Sequence, residues 1–375
     1  MISVNSSAEV NDIKVSVVMP IYNAYSYIRP ALDSVLAQSL EEIELICVDD
    51  GSTDGSVGIL KAYCEKDSRI KIINQENFGP ARARNRGLAS AKGEYIAFLD
   101  ADDFFERDML ESLYAISKRD DLDIAICKYD LYSDKEASFK SNPESAESEI
   151  FDTGAVASKN EYPETILQST SGVAWNKLFK RSFLAEKGIH FLDGVKMYED
   201  VYFTVCALAF AERVGKVQRI LAHHRVYGQQ TRVKEYKRNY KQVPEVCLRI
   251  KEFLMKGGMH QPLHKSFFNF SVGRCFRVFN TIPNDVKDDF WNLVHEKYAE
   301  PLGWLDIPVT EIKDEKQKEF LSNILLYNHE QYLARLKKGK ESVPAEKVGS
   351  ELVKVKKREQ IKRLFVKLFG IKEKS

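Results

Sequence analysis

The chain has 375 residues, with 56 Lys/Arg against 55 Asp/Glu for a formal net charge of +1. That length can bury a full core and predicts more than one domain. The near balance excludes a nucleic-acid binder whose affinity rests on a global positive field. The charge is uneven, however: nine Lys/Arg and three Glu fall between Glu351 and Ser375, leaving the rest of the chain net acidic. Cys47, Cys64, Cys127, Cys206, Cys247 and Cys275 form no C-x-x-C pair, and the first residues lack a basic region followed by an apolar stretch. A reduced, cytoplasmic setting is expected. The apolar run Tyr202 to Ala211 is about half of the roughly 20 residues a spanning helix needs, so it reads as a core helix.

In chain order, Val15 to Met19, Ile43 to Val48, Ile70 to Ile73, Tyr95 to Leu99 and Asp123 to Cys127 read as strands, nearly continuous in apolar character as buried parallel strands are. Helices are expected between them. The first shows Ile28, Leu32, Val35 and Leu36 on one face; the second follows Asp54 as an N-cap; the third spans about Pro80 to Ala91; the fourth carries Met109, Leu110 and Leu113. Such alternation predicts a doubly wound α/β sheet with ligands at the carboxyl ends of its strands.

Polar clusters follow three of those strands: Pro20-Ile21-Tyr22-Asn23, Asp49 to Asp54, and Asp100-Ala101-Asp102-Asp103. Three carboxylates at the tip of a buried strand repel one another unless a cation sits among them, most simply Mg²⁺ or Mn²⁺ shared with substrate phosphates. The competing reading is an acidic turn that caps the next helix. No G-x-G-x-x-G follows the first strand and no P-loop occurs, so phosphate must be held by metal and side chains. The segment Asn77 to Arg86 places arginines at a helix start, either to favour an anion or as a solvated face.

Together these residues resemble the family 2 glycosyltransferases of GT-A fold. The resemblance rests on Val15 to Asn23, Gln38-Ser39, Val48 to Asp54, Asn77-Phe78-Gly79 with Ala83-Arg84-Asn85, and Gly93 to Asp103. It is strong over residues 14 to 130, looser to about 230, and is similar to bacterial members that build surface polysaccharide. It implies a Rossmann-like, mostly parallel sheet flanked by helices. It also implies that Pro20 and Tyr22 line the nucleotide base, Tyr22 by stacking, and that Asp50 accepts a hydrogen bond from it. Arg84 would lie near the base or phosphates, Asp100 near the ribose or a metal-bound water, and Asp102 would ligate Mn²⁺ or Mg²⁺.

Glu199-Asp200 precedes the apolar helix, and the resemblance implies that Asp200 is the general base of an inverting transfer; the other reading is an acidic first turn favoured by the helix dipole. Trp175, in Trp175 to Phe179, is open to two readings, a platform for a sugar face or core. His223, His224 and Arg225 match a flexible loop that closes over donor phosphates, with histidines where relatives carry aromatics. Either His is a third metal ligand or an ordinary hydrogen-bonding group.

The expected organisation is an N-terminal extension (1–13), a nucleotide-sugar-binding half (14–130), an acceptor-binding half with the base (131–233), a helical region (234–350) and a basic tail (351–375). In the tail Ile361, Leu364, Phe365 and Leu368 recur at helical spacing with Phe369, and lysines and arginines occupy other faces, the pattern of a helix in an anionic membrane interface or of a packing helix. The implied function is transfer of a hexosyl or N-acetylhexosaminyl group from a UDP-sugar to a hydroxyl of a surface glycan or lipid-linked glycan, at the inner face of the cell membrane. A silent sugar-nucleotide-binding partner of a glycan-assembly complex and a sugar nucleotidyltransferase are the alternatives.

Overall fold

The computed structural model describes residues 13–141, 149–151, 156–226, 229–337, 345 and 347–352. The chain divides into two compact units, residues 1–228 with 256–263, and residues 229–255 with 264–375. In the first unit the apolar runs become β1 (Val15–Ile21), β2 (Ile43–Asp49), β3 (Ile70–Asn74) and β4 (Tyr95–Phe98), alternating with α1 (Ile28–Leu36), α2 (Ser56–Cys64) and α3 (Pro80–Ser90). These four strands pair in parallel in the order β3-β2-β1-β4. Continuous apolar character follows from burial on both faces: every residue of β2 and β4 is buried.

The second half of the sheet is mixed. It comprises β5 (Phe104–Phe105), then α4 (Met109–Arg119), β6 (Ile124–Ser133), β7 (Ser138–Ser141), β8 (Lys177–Lys180), α5 (Arg181–Glu186), α6 (Glu199–Phe210) and β9 (Val214–Arg225). β8 runs antiparallel to β4 and β6, β9 is parallel to β6, and β5 is antiparallel to β9. This last pairing sets Phe104 opposite His223, which carries the end of β9 beside the acidic loop that precedes β5.

α3 lies close on β1 because Gly87 has no side chain: a Cβ there would come within 2.3 Å of Val18 Cγ1. Both partners are buried. Gly87→Ala is therefore expected to lower stability by about 1–3 kcal/mol, overpacking outweighing the better helix propensity of Ala. Urea unfolding checks it, and an unchanged midpoint would show that the helix can lift without cost.

The second unit contains α7 (Gln229–Asn239), α8 (Gln242–Lys256), α9 (His264–Thr281), α10 (Lys287–Leu293), α11 (Glu315–Leu326) and α12 (His329–Lys337). Its core holds Trp291 and Trp304, whose indole N–H groups donate to the Tyr327 carbonyl at 2.9 Å and to Ser271 Oγ at 2.8 Å. Among the described residues no helix is long and apolar enough to cross a membrane. Residues 1–12, Tyr227 and the tail residues 353–375, with Ile361, Leu364, Phe365, Leu368 and Phe369, lie outside the described residues.

Candidate active site

The loops after β1 and β2 are laced together. Asn23, at φ 50°, accepts from the Thr53 N–H at 2.8 Å, while the N–H groups of Ala24 and Tyr25 donate to Ser56 Oγ at 2.9 Å and Asp54 Oδ2 at 3.0 Å. Asp54 Oδ1 also accepts from the Ser56 N–H at 2.9 Å, so it serves the first turn of α2 from one residue outside the cap position. Pro20 is half-buried, and Tyr22 stands 51% exposed just past the end of β1. Asp50 is buried and shapes the start of α3: Oδ1 accepts from Gln75 Nε2 at 2.7 Å and the Phe78 N–H at 2.9 Å, and Oδ2 from the Gly79 N–H at 2.8 Å. A carboxylate has about four acceptor positions, so a base donor would share Asp50 with three protein donors.

At the tip of β4 the three carboxylates have different partners. Asp100 Oδ1 receives Arg84 Nη2 at 2.5 Å. Asp103 is buried and receives His224 Nδ1 at 3.0 Å and the Arg225 N–H at 2.8 Å. Burial opposes the charge on His224, but Asp103, with Asp100 and Asp102, pushes its pKa up to about 9. Arg84 and His224 thus meet two of the carboxylates, and Asp102 is half-buried, with its backbone carbonyl accepting from Arg225 Nε at 2.7 Å. Among the described residues no three His, Cys, Asp or Glu side chains gather to hold a metal ion by themselves. The donor set suits a hard cation that takes one carboxylate and completes its shell with substrate phosphates.

The helix start that carries Asp200 is held from α3. Asn85 Oδ1 accepts from the Phe191 N–H at 2.8 Å and its Nδ2 donates to the Phe191 carbonyl at 2.9 Å, strapping the loop that leads into α6. The Phe191 ring stacks on Phe203 of α6 with centroids 4.2 Å apart, and Phe98 meets both edge-on. Glu199 and Asp200 are the first two residues of α6 rather than its preface, with Tyr198 at the cap in a left-handed conformation (φ 69°). Glu199 accepts from Arg84 Nη1 at 2.9 Å. Asp200 Oδ1 accepts from the Val201 N–H at 2.7 Å. Burial, then repulsion from Glu199, pushes the Asp200 pKa up to about 7 against the pull of Arg84.

Trp175 is 5% exposed, with its ring stacked on His224 at 5.3 Å and edge-on to Tyr129. Of its two readings the structure favours core, and the ring forms the floor under His224. His223 is used differently: Nδ1 meets Asp130 at 2.6 Å and Nε2 meets Glu106 at 2.9 Å, so both nitrogens are taken. Both nitrogens of His223 are thus committed to carboxylates, whereas His224 uses Nδ1 for Asp103.

The expected mobile loop is corrected at His224 and Arg225, which belong to β9 and pair with Leu131 and Tyr132 of β6. Arg225 is buried, pairs with Asp134, and lies over the rings of Tyr27, Phe104 and Tyr132 at 5.4, 5.7 and 5.2 Å. A single sequence gives no sign of such a cage, because its members come from four separate segments. The strap made by Asn85 was likewise assigned no role from the sequence.

A sheet whose parallel half ends in an acidic strand-tip loop, with a carboxylate-bearing helix strapped beside it, defines the GT-A class of sugar-nucleotide folds. Residues 16–186, a little under half of the chain, match the family model described as Glycosyl transferase family 2. The chain is 36% identical over 216 residues to the putative glycosyltransferase EpsH of Bacillus subtilis, covering 57% of this chain and 61% of that protein. It is 34% identical over 218 residues to glycosyltransferase GlyA of Streptococcus pneumoniae, covering 57% of this chain and 31% of GlyA. The matched segment thus spans less than two thirds of either relative. Among solved structures, residues 1–349 of S. aureus TarS in complex with UDP superpose with a TM-score of 0.63 at 20% identity, covering 88% of this chain and 95% of that one. That similarity concerns the fold.

Proposed function

We propose that the chain is an inverting, metal-dependent glycosyltransferase that moves a sugar from a UDP-linked donor to a hydroxyl of a bacterial surface glycan or glycolipid. The observation that carries this reading is the convergence of Asp100 at the tip of β4 and Glu199-Asp200 at the start of α6 on the single side chain Arg84. Structures of TarS with UDP and with UDP-GlcNAc support the donor class.

Tyr22 is exposed for stacking on the base, and Asp50 holds the turn beside it. Asp102 would hold the divalent cation, which when bound offsets the charge of the departing diphosphate. Asp200 takes the proton of the acceptor hydroxyl as its oxygen bonds to the anomeric carbon; the bond from that carbon to the diphosphate oxygen breaks, and the nucleoside diphosphate leaves with the electron pair. One displacement from the far face inverts the anomeric centre.

The test is a panel of nucleotide sugars assayed for nucleoside diphosphate release with Mn²⁺ or Mg²⁺, with product anomericity read by NMR. Release of UDP from one donor and an inverted product are expected. Release from none, or retention, would overturn the reading.

The basic, amphipathic sequence of 351–375 supports a contact with an anionic membrane, at about 1 kcal/mol per Lys or Arg near the surface. Truncation before Glu351 is expected to abolish cosedimentation with anionic vesicles at low salt. Equal binding by both chains, or by neither, would remove the membrane from the proposal.

A further inference from the structure

Arg84 sits in the second turn of α3 with its side chain 7% exposed. Its guanidinium reaches Asp100 Oδ1 through Nη2 at 2.5 Å and Glu199 Oε1 through Nη1 at 2.9 Å. It also lies over the Phe191 ring at 5.3 Å. Nε is buried with no hydrogen-bond partner. Burial works against the charge of Arg84, yet Asp100 and Glu199 hold its pKa above the ordinary value. A stranded buried N–H is disfavoured, and it is what a planar fork leaves behind when both of its terminal nitrogens are committed to separate carboxylates.

Those carboxylates belong to elements far apart in sequence. Asp100 lies two residues past β4, in the loop that presents Asp102, and Glu199 opens the helix that presents Asp200. Without a cation between them, Glu199 and Asp200 in one helical turn would repel each other and the Asp100 end alike. We infer that Arg84 is a positioning residue that locks the start of α6 to the tip of β4 through Glu199, setting Asp200 against the donor-binding loop, rather than a residue that contacts the nucleotide. This inference rests on the glycosyltransferase reading above. A lysine cannot replace the fork, because one ammonium is a point charge that does not span two carboxylates in fixed geometry.

The experiment uses the full chain with three substitutions, Arg84→Lys, Glu199→Gln and the two combined. Arg84→Lys is expected to lower kcat roughly tenfold or more, with affinity for UDP measured by calorimetry within about twofold of the parent. Glu199→Gln should do the same. The double variant should lose no more than the worse single one, since both break one lock. Arg84→Met, which also removes the cation facing Asp200, Glu199 and Asp100, should move the acid limb of the pH–rate profile to higher pH, whereas Arg84→Lys should leave it in place.

Loss of UDP affinity with kcat unchanged would assign Arg84 to the nucleotide and overturn the inference, as would additive losses or full activity in Arg84→Lys. If Arg84→Met does not fold, the conservative variants carry the test. If the parent chain acts on no donor, the glycosyltransferase reading fails by itself, and amide hydrogen exchange at residues 198–202 decides the lock: faster exchange in Arg84→Lys supports it, and unchanged exchange overturns it.

Discussion

Asp200→Asn is expected to lower the rate of sugar transfer by about 10²–10⁴, the usual worth of a positioned general base. Asparagine keeps the shape and the oxygen that accepts the Val201 N–H at 2.7 Å, so α6 should still begin where it does. What is lost is proton acceptance. Burial and Glu199 push the Asp200 pKa up to about 7, so the parent enzyme should gain rate as pH rises through that value, where the carboxylate form takes over. Below it the protonated acid cannot accept the acceptor's proton. The Asn variant should show no such limb, while UDP binding, assigned to Tyr22, Asp50 and Asp102, stays nearly intact. Steady-state rates from about pH 5.5 to 8.5 and calorimetry with UDP check both parts. Equal losses of rate and binding would assign Asp200 to structure.

Asp102→Ala is expected to abolish turnover and to remove any effect of Mn²⁺ or Mg²⁺ on donor affinity. Asp100 meets Arg84 and Asp103 meets His224, and Asp102 in the same loop is the carboxylate proposed to share a cation with the donor diphosphate. Two phosphate charges pressed against that side chain without a cation would be repelled by several kcal/mol at the effective dielectric of a protein crevice, on the order of the pair energies at ε ≈ 20. Chelator should therefore mimic the substitution in the parent chain. Undiminished transfer in chelator would overturn the metal, and metal-dependent transfer by Asp102→Ala would move the ligand elsewhere.

The alternation of strands and helices over the first 130 residues was readable because burial on both faces demands uninterrupted apolar runs, and β1 to β4 carry them. The clusters at Pro20 to Asn23, Asp49 to Asp54 and Asp100 to Asp103 were readable because loops at strand ends are where a doubly wound sheet leaves polar residues room. The second half of the sheet was less so. β5 has two residues and β7 and β8 four each, too short for a period to register, and all three pair antiparallel.

The sequence by itself therefore determined the class of fold and the inventory of carboxylates. The tertiary structure alone decided what each one meets. Arg84 and Glu199 are 115 residues apart, and His224 and Asp103 are 121 apart. Local patterning fixes the face on which a side chain emerges, whereas a charge finds its partner only after the sheet order sets β4 and β9 beside the elements they touch. That order also put Trp175 beneath His224 and drew Arg225 into an aromatic cage, turning an expected mobile loop into the last residues of a strand. Burial then raised the Asp200 carboxyl toward neutrality, a property of its surroundings that the pair Glu199-Asp200 does not encode.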